Sequence, residues 1–177
     1  MNKIKLFVNV TFDLKLRIEK KIAMDLSQFK HIKNIEIRYD DLDTLGHVNN
    51  KAYLSYLEEA RIDYHKQLFN WKHELEFNAV VAKIEINYRK PLYYTDKLMV
   101  YTRLLNTGTK SFELESYFIT KTNNPDVISK VADAKVVLVA IDPLTGHPVN
   151  LPEKEKQLLL EFENQFNTTQ NKTTNKE

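Results

Sequence analysis

The sequence predicts an α+β fold: a curved antiparallel sheet wrapped around one long helix, with a strand-like N-terminal extension and a short C-terminal helix. Three observations carry this. Residues 50 to 69 are the only long stretch of helical periodicity before the C-terminus, and four strand-like segments follow it in series. The chain has three glycines, too few for the phosphate loop or dinucleotide fingerprint of a doubly wound fold. One long helix can cover only one face of a sheet, so the sheet must curl around it. With 177 residues and 42% hydrophobic content, the chain supports one core and one domain. We place that domain at residues 31 to 166, after an extension at 1 to 30 and before a disordered tail at 167 to 177.

Each element follows from its pattern. From Ile4 to Ile18 every even position is apolar and the odd ones are polar except Phe7, the period of a half-buried strand. Met24 offers a second start, so residues 1 to 23 read as an appendage. KNIEIRYD, residues 33 to 40, alternates again through Ile35, Ile37 and Tyr39 and gives a first core strand. Tyr53, Leu57, Ala60, Tyr64 and Leu68 then fall on one helical stripe, with Asn49 or Asn50 as N-cap. Strands are expected at 79 to 92, 96 to 106, 110 to 121 and 128 to 142, divided by Pro91, Gly108 and Asn123-Asn124-Pro125 and pairing with their neighbours. PLTGHP, residues 143 to 148, makes a turn. Pro152 opens the last helix, whose apolar side is Leu158, Leu159, Phe162 and Phe166. The final eleven residues hold no apolar side chain.

Composition excludes whole classes of chemistry. No cysteine is present, which removes disulfides, thiolate metal sites and cysteine nucleophiles and makes the cytoplasm the expected compartment. No segment reaches the roughly 18 apolar residues of a membrane span, and Asn9 and Asp13 interrupt the N-terminal apolar run that a signal peptide would need. The net charge is +2, but residues 1 to 33 carry eight basic and three acidic residues. A solvated basic arm explains that better than a nucleic-acid partner, because no zinc-finger, helix-turn-helix or RNP pattern accompanies it.

The densest polar chemistry is DLDTLGHVNN, residues 41 to 50, immediately ahead of the long helix. Asp41 and Asp43 stand in an i, i+2 relation and point the same way if the strand persists, or lie on a loop if it has ended. They precede a helix N-terminus, whose free N–H groups and positive partial charge favour an anion. A thioester or ester carbonyl held there develops negative charge in its transition state, and each preorganised donor is worth about 3 to 4 kcal/mol. A neighbouring carboxylate then activates water or attacks the carbonyl itself. A plain turn and cap would use the same residues. A metal site is not expected, since Asp41, Asp43 and His47 lack a further well-spaced ligand and the other histidines are scattered.

RYDDLDTLGHVNNKAYLSYLEEAR resembles the signature of hotdog-fold thioesterases of the 4-hydroxybenzoyl-CoA thioesterase type. GHVNN followed by Tyr53 is also similar to the equivalent stretch of plant acyl-ACP thioesterases. INYRKPLYYTDKL adds Tyr88, Pro91, Asp96 and Leu98, which resemble the Y-x-x-P-x-x-x-x-D-x-L pattern of the same fold. The resemblance spans about residues 31 to 142. It implies thioester hydrolysis of an acyl-CoA with no cofactor of its own, coenzyme A being part of the substrate. Asp43 matches the family's catalytic carboxylate, and Asp41 a more structural position. Where members often carry Tyr or His seven residues later, this chain has Asn50. His47 matches the histidine of the acyl-ACP group, whose Asn two residues earlier is Leu45 here. The expected catalytic set is Asp43 with His47 and Asn50 as orienting partners and backbone N–H groups as oxyanion donors.

The resemblance further implies a homodimer or homotetramer with the site at a subunit interface, and exposed edge strands give a physical reason for assembly. Arg89, Lys90, Lys110 and Ser111 are the candidates for the coenzyme's phosphates, and Tyr53, Tyr56 and Leu57 for the acyl tunnel. Alternatives are an acyl-ACP thioesterase, a hotdog hydratase or dehydratase, and a non-catalytic acyl-CoA-binding protein using the basic arm.

Overall fold

A computed structural model describes residues 26 to 69, 78 to 121 and 128 to 164. The elements are β1 (His31–Ile35), a single 3-10 turn (Tyr39–Asp41), α1 (Asn50–Phe69), β2 (Asn78–Tyr88), β3 (Lys97–Thr107), β4 (Ser111–Lys121), β5 (Ile128–Ile141) and α2 (Glu153–Asn164). The five strands form one antiparallel sheet in the order β1-β3-β4-β5-β2. Register shifts at Val81/Lys83, Leu104/Asn106 and Phe118/Ile119 add the local twist that lets a sheet curl.

Alternation decides which face is buried. Leu98 and Val100 on β3, Phe112, Leu114 and Phe118 on β4, and Ala132, Ala134, Val136, Leu138 and Ala140 on β5 point toward α1 and form the core with its buried stripe. From that stripe Tyr53, Leu57, Ala60 and Tyr64 are buried as expected, and Ala52 and Tyr56 join them, while Leu68 is half-buried. Thr102 and Ser116, directly opposite across β3 and β4, satisfy each other's buried hydroxyls at 3.0 Å. Helix α2 rests on the second half of α1. Phe162 stacks edge-on to Tyr64 at 5.4 Å, and Glu163 accepts hydrogen bonds from the Tyr64 hydroxyl at 3.0 Å and the Leu104 N–H at 2.9 Å.

Two expectations change. The first strand ends at Ile35 and not Asp40, although Ile37 beyond it is buried. Consecutive strands pair through β3, β4 and β5, but β2 pairs with β5 and lies at the far edge from β1. The connection at 89 to 96 therefore crosses three strand positions, about 14 Å at about 4.8 Å each. Residues 26 to 30, assigned by sequence to the extension, are packed on the opposite face of the sheet from α1. There Leu26 and Phe29 are buried with Ile119 against Met99, Tyr101, Tyr117 and Ile128. The strand expected at 4 to 18, Phe166 and the tail lie outside the described residues.

Candidate active site

The loop that joins β1 to α1 is built around Asp41 and Asp43, and the two acids do different things. Asp41 closes the 3-10 turn, is buried, and takes hydrogen bonds on its carboxylate from the Arg38 N–H at 2.9 Å and the Tyr56 hydroxyl at 2.6 Å. Burial alone works against its charge, but the bonds from Tyr56 and Arg38 outweigh it and hold the carboxyl below its usual range. Burial first, and the same contact second, push the Tyr56 hydroxyl up, so it stays a donor.

Past Asp41 the chain makes a bridge between Leu42 and Val48 that pinches off the residues from Asp43 to His47. Inside that loop the Asp43 N–H donates to the His47 carbonyl at 2.8 Å and the Gly46 N–H to the Asp43 carbonyl at 3.1 Å. Gly46 has φ +77°, the left-handed conformation the turn requires and glycine supplies without strain. The Asp43 side chain folds back over the loop, and its Oδ1 accepts from the Leu45 N–H at 2.8 Å and the His47 N–H at 3.2 Å. Its Oδ2 accepts nothing among the described residues, and the residue is only half-buried. This is an Asx-type turn with one carboxylate oxygen left over. Because β1 has ended at Ile35, the two acids lie on the connecting loop, with Asp41 at the end of the 3-10 turn sent inward and Asp43 beyond it half-buried.

The helix cap falls to Asn49. Its side chain accepts from the Lys51 N–H at 3.0 Å, and its carbonyl from the Ala52 N–H at 2.9 Å. That leaves the Asn50 N–H, at the first helical position, without a hydrogen bond among the described residues. The Asn50 carbonyl accepts from the Tyr88 hydroxyl at 3.3 Å.

The second motif braces the first. The Val48 N–H donates to the Leu92 carbonyl at 2.8 Å, and the His47 ring meets Tyr93 edge-on at 5.0 Å. Asp96 accepts from the Tyr93 N–H at 2.9 Å and so fixes the turn before β3, while Leu98 enters the core. Tyr88, besides reaching Asn50, meets the ring of Tyr53 at 5.0 Å. Tyr93 and Leu92 were not singled out from sequence, and only their place inside the Y-x-x-P pattern pointed to them.

Of the other expected site residues, Tyr53, Tyr56 and Leu57 are all buried in the core under α1. Burial raises the Tyr53 hydroxyl to about 12. Arg89 grips Asp133 through two bonds, at 2.6 and 3.2 Å, and Lys90 donates to Ser129 at 2.6 Å. Both follow Tyr88 and lie at the end of the sheet that carries Asp43. Lys110 and Ser111 do not. Ser111 pairs with Val139, whereas the N–H groups of Arg89 and Lys90 donate to the Val131 carbonyl. Eight residues of β5 separate those points, roughly 26 Å at about 3.3 Å per residue. Among the described residues no group of three or more His, Asp or Glu side chains is placed to hold a metal ion, and no helix is long and apolar enough to cross a membrane.

A turn that presents a carboxylate beside the free N–H of a helix start, clamped by a Y-x-x-P segment, can be compared with known proteins. The model of the family described as "Thioesterase-like superfamily" matches residues 37 to 159. The chain belongs to the thioesterase-like superfamily. Among curated members, the long-chain acyl-CoA thioesterase FadM of Escherichia coli K12 is 39% identical over 127 residues, covering 71% of this chain and 93% of the relative. Two solved thioesterase-like structures share the fold. A thioesterase from Thermus thermophilus, complexed with coenzyme A and Zn, is 33% identical with a TM-score of 0.64, covering 77% of this chain and 96% of that one. The probable thioesterase YbaW of Escherichia coli is also 33% identical with a TM-score of 0.64, covering 76% and 98%. The superfamily match takes in the 3-10 turn, the Asp43 loop, all of α1 and β2 to β5, so its shared scaffold is the one that positions this site.

Proposed function

We propose that this protein is an acyl-CoA thioesterase. Water adds to the acyl carbon of the thioester, the C–S bond breaks, and the free acid and coenzyme A thiol leave. Asp43 is the carboxylate that takes the proton from that water and returns it to the departing thiolate or, in place of direct addition, attacks the carbonyl itself to give a mixed anhydride that water then hydrolyses, and the Asn50 N–H receives the charge that develops on the carbonyl oxygen. The observation that carries this is the state of Asp43. One oxygen is fixed by two backbone N–H groups, while the other is left unpaired among the described residues, at a half-open position beside the helix start. His47 and Asn50 orient the acyl group or the leaving thiol. The named acyl-CoA thioesterase among the relatives, matched over 93% of its length, supports the substrate class.

The same reading includes a second copy of the chain, as a homodimer or a homotetramer built from it, acting in the cytoplasm on free acyl-CoA. Strand β2 is an edge of the sheet, and Val81 and Ile84 on it are exposed beside the exposed Leu54 of α1. Pairing through that edge hides both the strand and the apolar side chains. Lys110 and Ser111 stand too far from Asp43 to serve its site in the same chain, so a phosphate-binding role for them requires the second copy. Arg89 and Lys90 need none. The test is release of free thiol from a panel of short- to long-chain acyl-CoAs by the purified chain. Saturable turnover of at least one member is expected, and no thiol release above the uncatalysed rate on any of them contradicts the proposal.

A further inference from the structure

Asp41 and Tyr56 lie outside the chemistry assigned to Asp43, yet the geometry points to them as the clamp that sets the position of its carboxylate: we propose that the Tyr56–Asp41 hydrogen bond is a positioning device for the reaction. This rests on the thioesterase reading above and adds two residues to it.

Several connections converge on Asp41. Its carboxylate accepts the Tyr56 hydroxyl at 2.6 Å, from a residue that sits within α1, and the Arg38 N–H at 2.9 Å, from the end of the segment leaving β1. Its backbone carbonyl accepts the Asn49 N–H at 2.8 Å, and Asn49 caps the same helix. The Leu42–Val48 bridge follows directly. The Asn49 bond and the Leu42–Val48 bridge join one side of the Asp43 loop to the other, the Tyr56 bond ties Asp41 to the helix beneath, and the Arg38 bond closes the turn that carries Asp41. Asp43 is two residues from the clamp, and its own bonds run only within the loop, to Leu45 and His47. Leu92 and Tyr93 brace the loop from the segment before β3, and its attachment to α1 runs through Asp41 and Tyr56.

Asp41 is itself unsuited to touch substrate, being buried with the bonds of Tyr56 and Arg38 on its carboxylate. The Tyr56 hydroxyl is likewise buried and committed. A reacting group displaced by about 1 Å can lose up to about a hundredfold in rate, whereas substrate affinity is set by contacts elsewhere. The clamp therefore acts on kcat and leaves KM nearly alone.

Tyr56→Phe removes one oxygen atom and keeps the packing of the ring. With the acyl-CoA that turns over best, this variant is expected to lose roughly tenfold in kcat with KM within about twofold of the parent chain. Asp41→Asn gives the same split and provides a second route if either variant folds poorly, which circular dichroism checks. An unchanged kcat in a folded Tyr56→Phe protein overturns the clamp, as does a loss confined to KM. Asp43→Asn run in parallel separates the two ideas. If it retains turnover, the carboxylate mechanism fails and the clamp with it; if it is inactive while Tyr56→Phe matches the parent, the clamp alone fails.

Discussion

Asp43 and His47 share a loop at the start of α1, while Asp63, in the second half of the same helix, bonds to His31 on β1. In the loop, among the described residues, Asp43 keeps one oxygen free and the His47 ring takes no hydrogen bond, resting instead on Tyr93. At the other place Asp63 Oδ2 meets His31 Nε2 at 2.9 Å and accepts from Gln67 at 2.9 Å, Asp63 Oδ1 lies 3.6 Å from Lys33, and His31 has no exposed surface at all. The second pair has the closer acid–histidine geometry, yet no substrate can reach its histidine. It fastens the edge strand β1 to the helix. Access and an unfilled lone pair, more than proximity, distinguish a reactive acid from a structural one.

That contrast can be sharpened by stability measurements at the buried end. The largest effect comes from His65, near Tyr64 and Phe112, whose imidazole is pushed down to about 4 by burial first and by the charges of Arg61 and His31 second. The folded state therefore favours the neutral ring. Its contribution is intact above the free imidazole value of 6.5 and is lost as the pH falls from there toward about 4. The loss amounts to roughly 3 kcal/mol. His31 is shifted in the same direction, chiefly by burial, and adds to the trend. Chemical denaturation at about pH 7.5 and about pH 4.5 checks this, and a His65→Phe variant should lose much of the pH dependence.

Asp63→Ala comes next. It leaves the buried His31 Nε2 without its partner, beside an Nδ1 that has none among the described residues, and is expected to lower stability by about 2 kcal/mol with thiol release unchanged. A loss of activity in folded protein would break the separation between the two ends. The smallest effect is at the cap. Asn49→Ala removes the acceptor of the Lys51 N–H and is expected to lower stability by about 1 kcal/mol, read as a shift in the denaturation midpoint.

Much of this architecture is legible in the residue pattern. The stripe from Tyr53 to Tyr64 marks α1, and alternation marks β2 to β5 within a few residues, because burial on one face imposes a period that the side chains must follow. Alternation reports which way a side chain faces and not whether its backbone is paired, so Ile37 extends the expected first strand beyond the residues that hydrogen-bond. The pairing of β2 with β5 is non-local, and no neighbouring residue records it. At the site, GHVNN and the paired aspartates mark the loop, but an i, i+2 spacing fixes a common direction only within a strand, and β1 ends before Asp41. Two consecutive asparagines do not reveal that Asn49 caps the helix and leaves the Asn50 N–H over. The Tyr56–Asp41 bond joins residues fifteen positions apart, and from sequence Tyr56 reads as a candidate lining residue of the acyl tunnel.

The most direct measurement is the thiol-release rate of Asp43→Asn against the parent chain, with the unfolding midpoint recorded on the same preparations. The substitution keeps the side chain's size and an oxygen for the Leu45 and His47 N–H groups, and replaces the free carboxylate oxygen by an uncharged NH2 that can donate but not accept a proton. The account predicts a fall in kcat of at least about a thousandfold with the midpoint nearly unmoved. Turnover near the parent rate in the folded variant would contradict it.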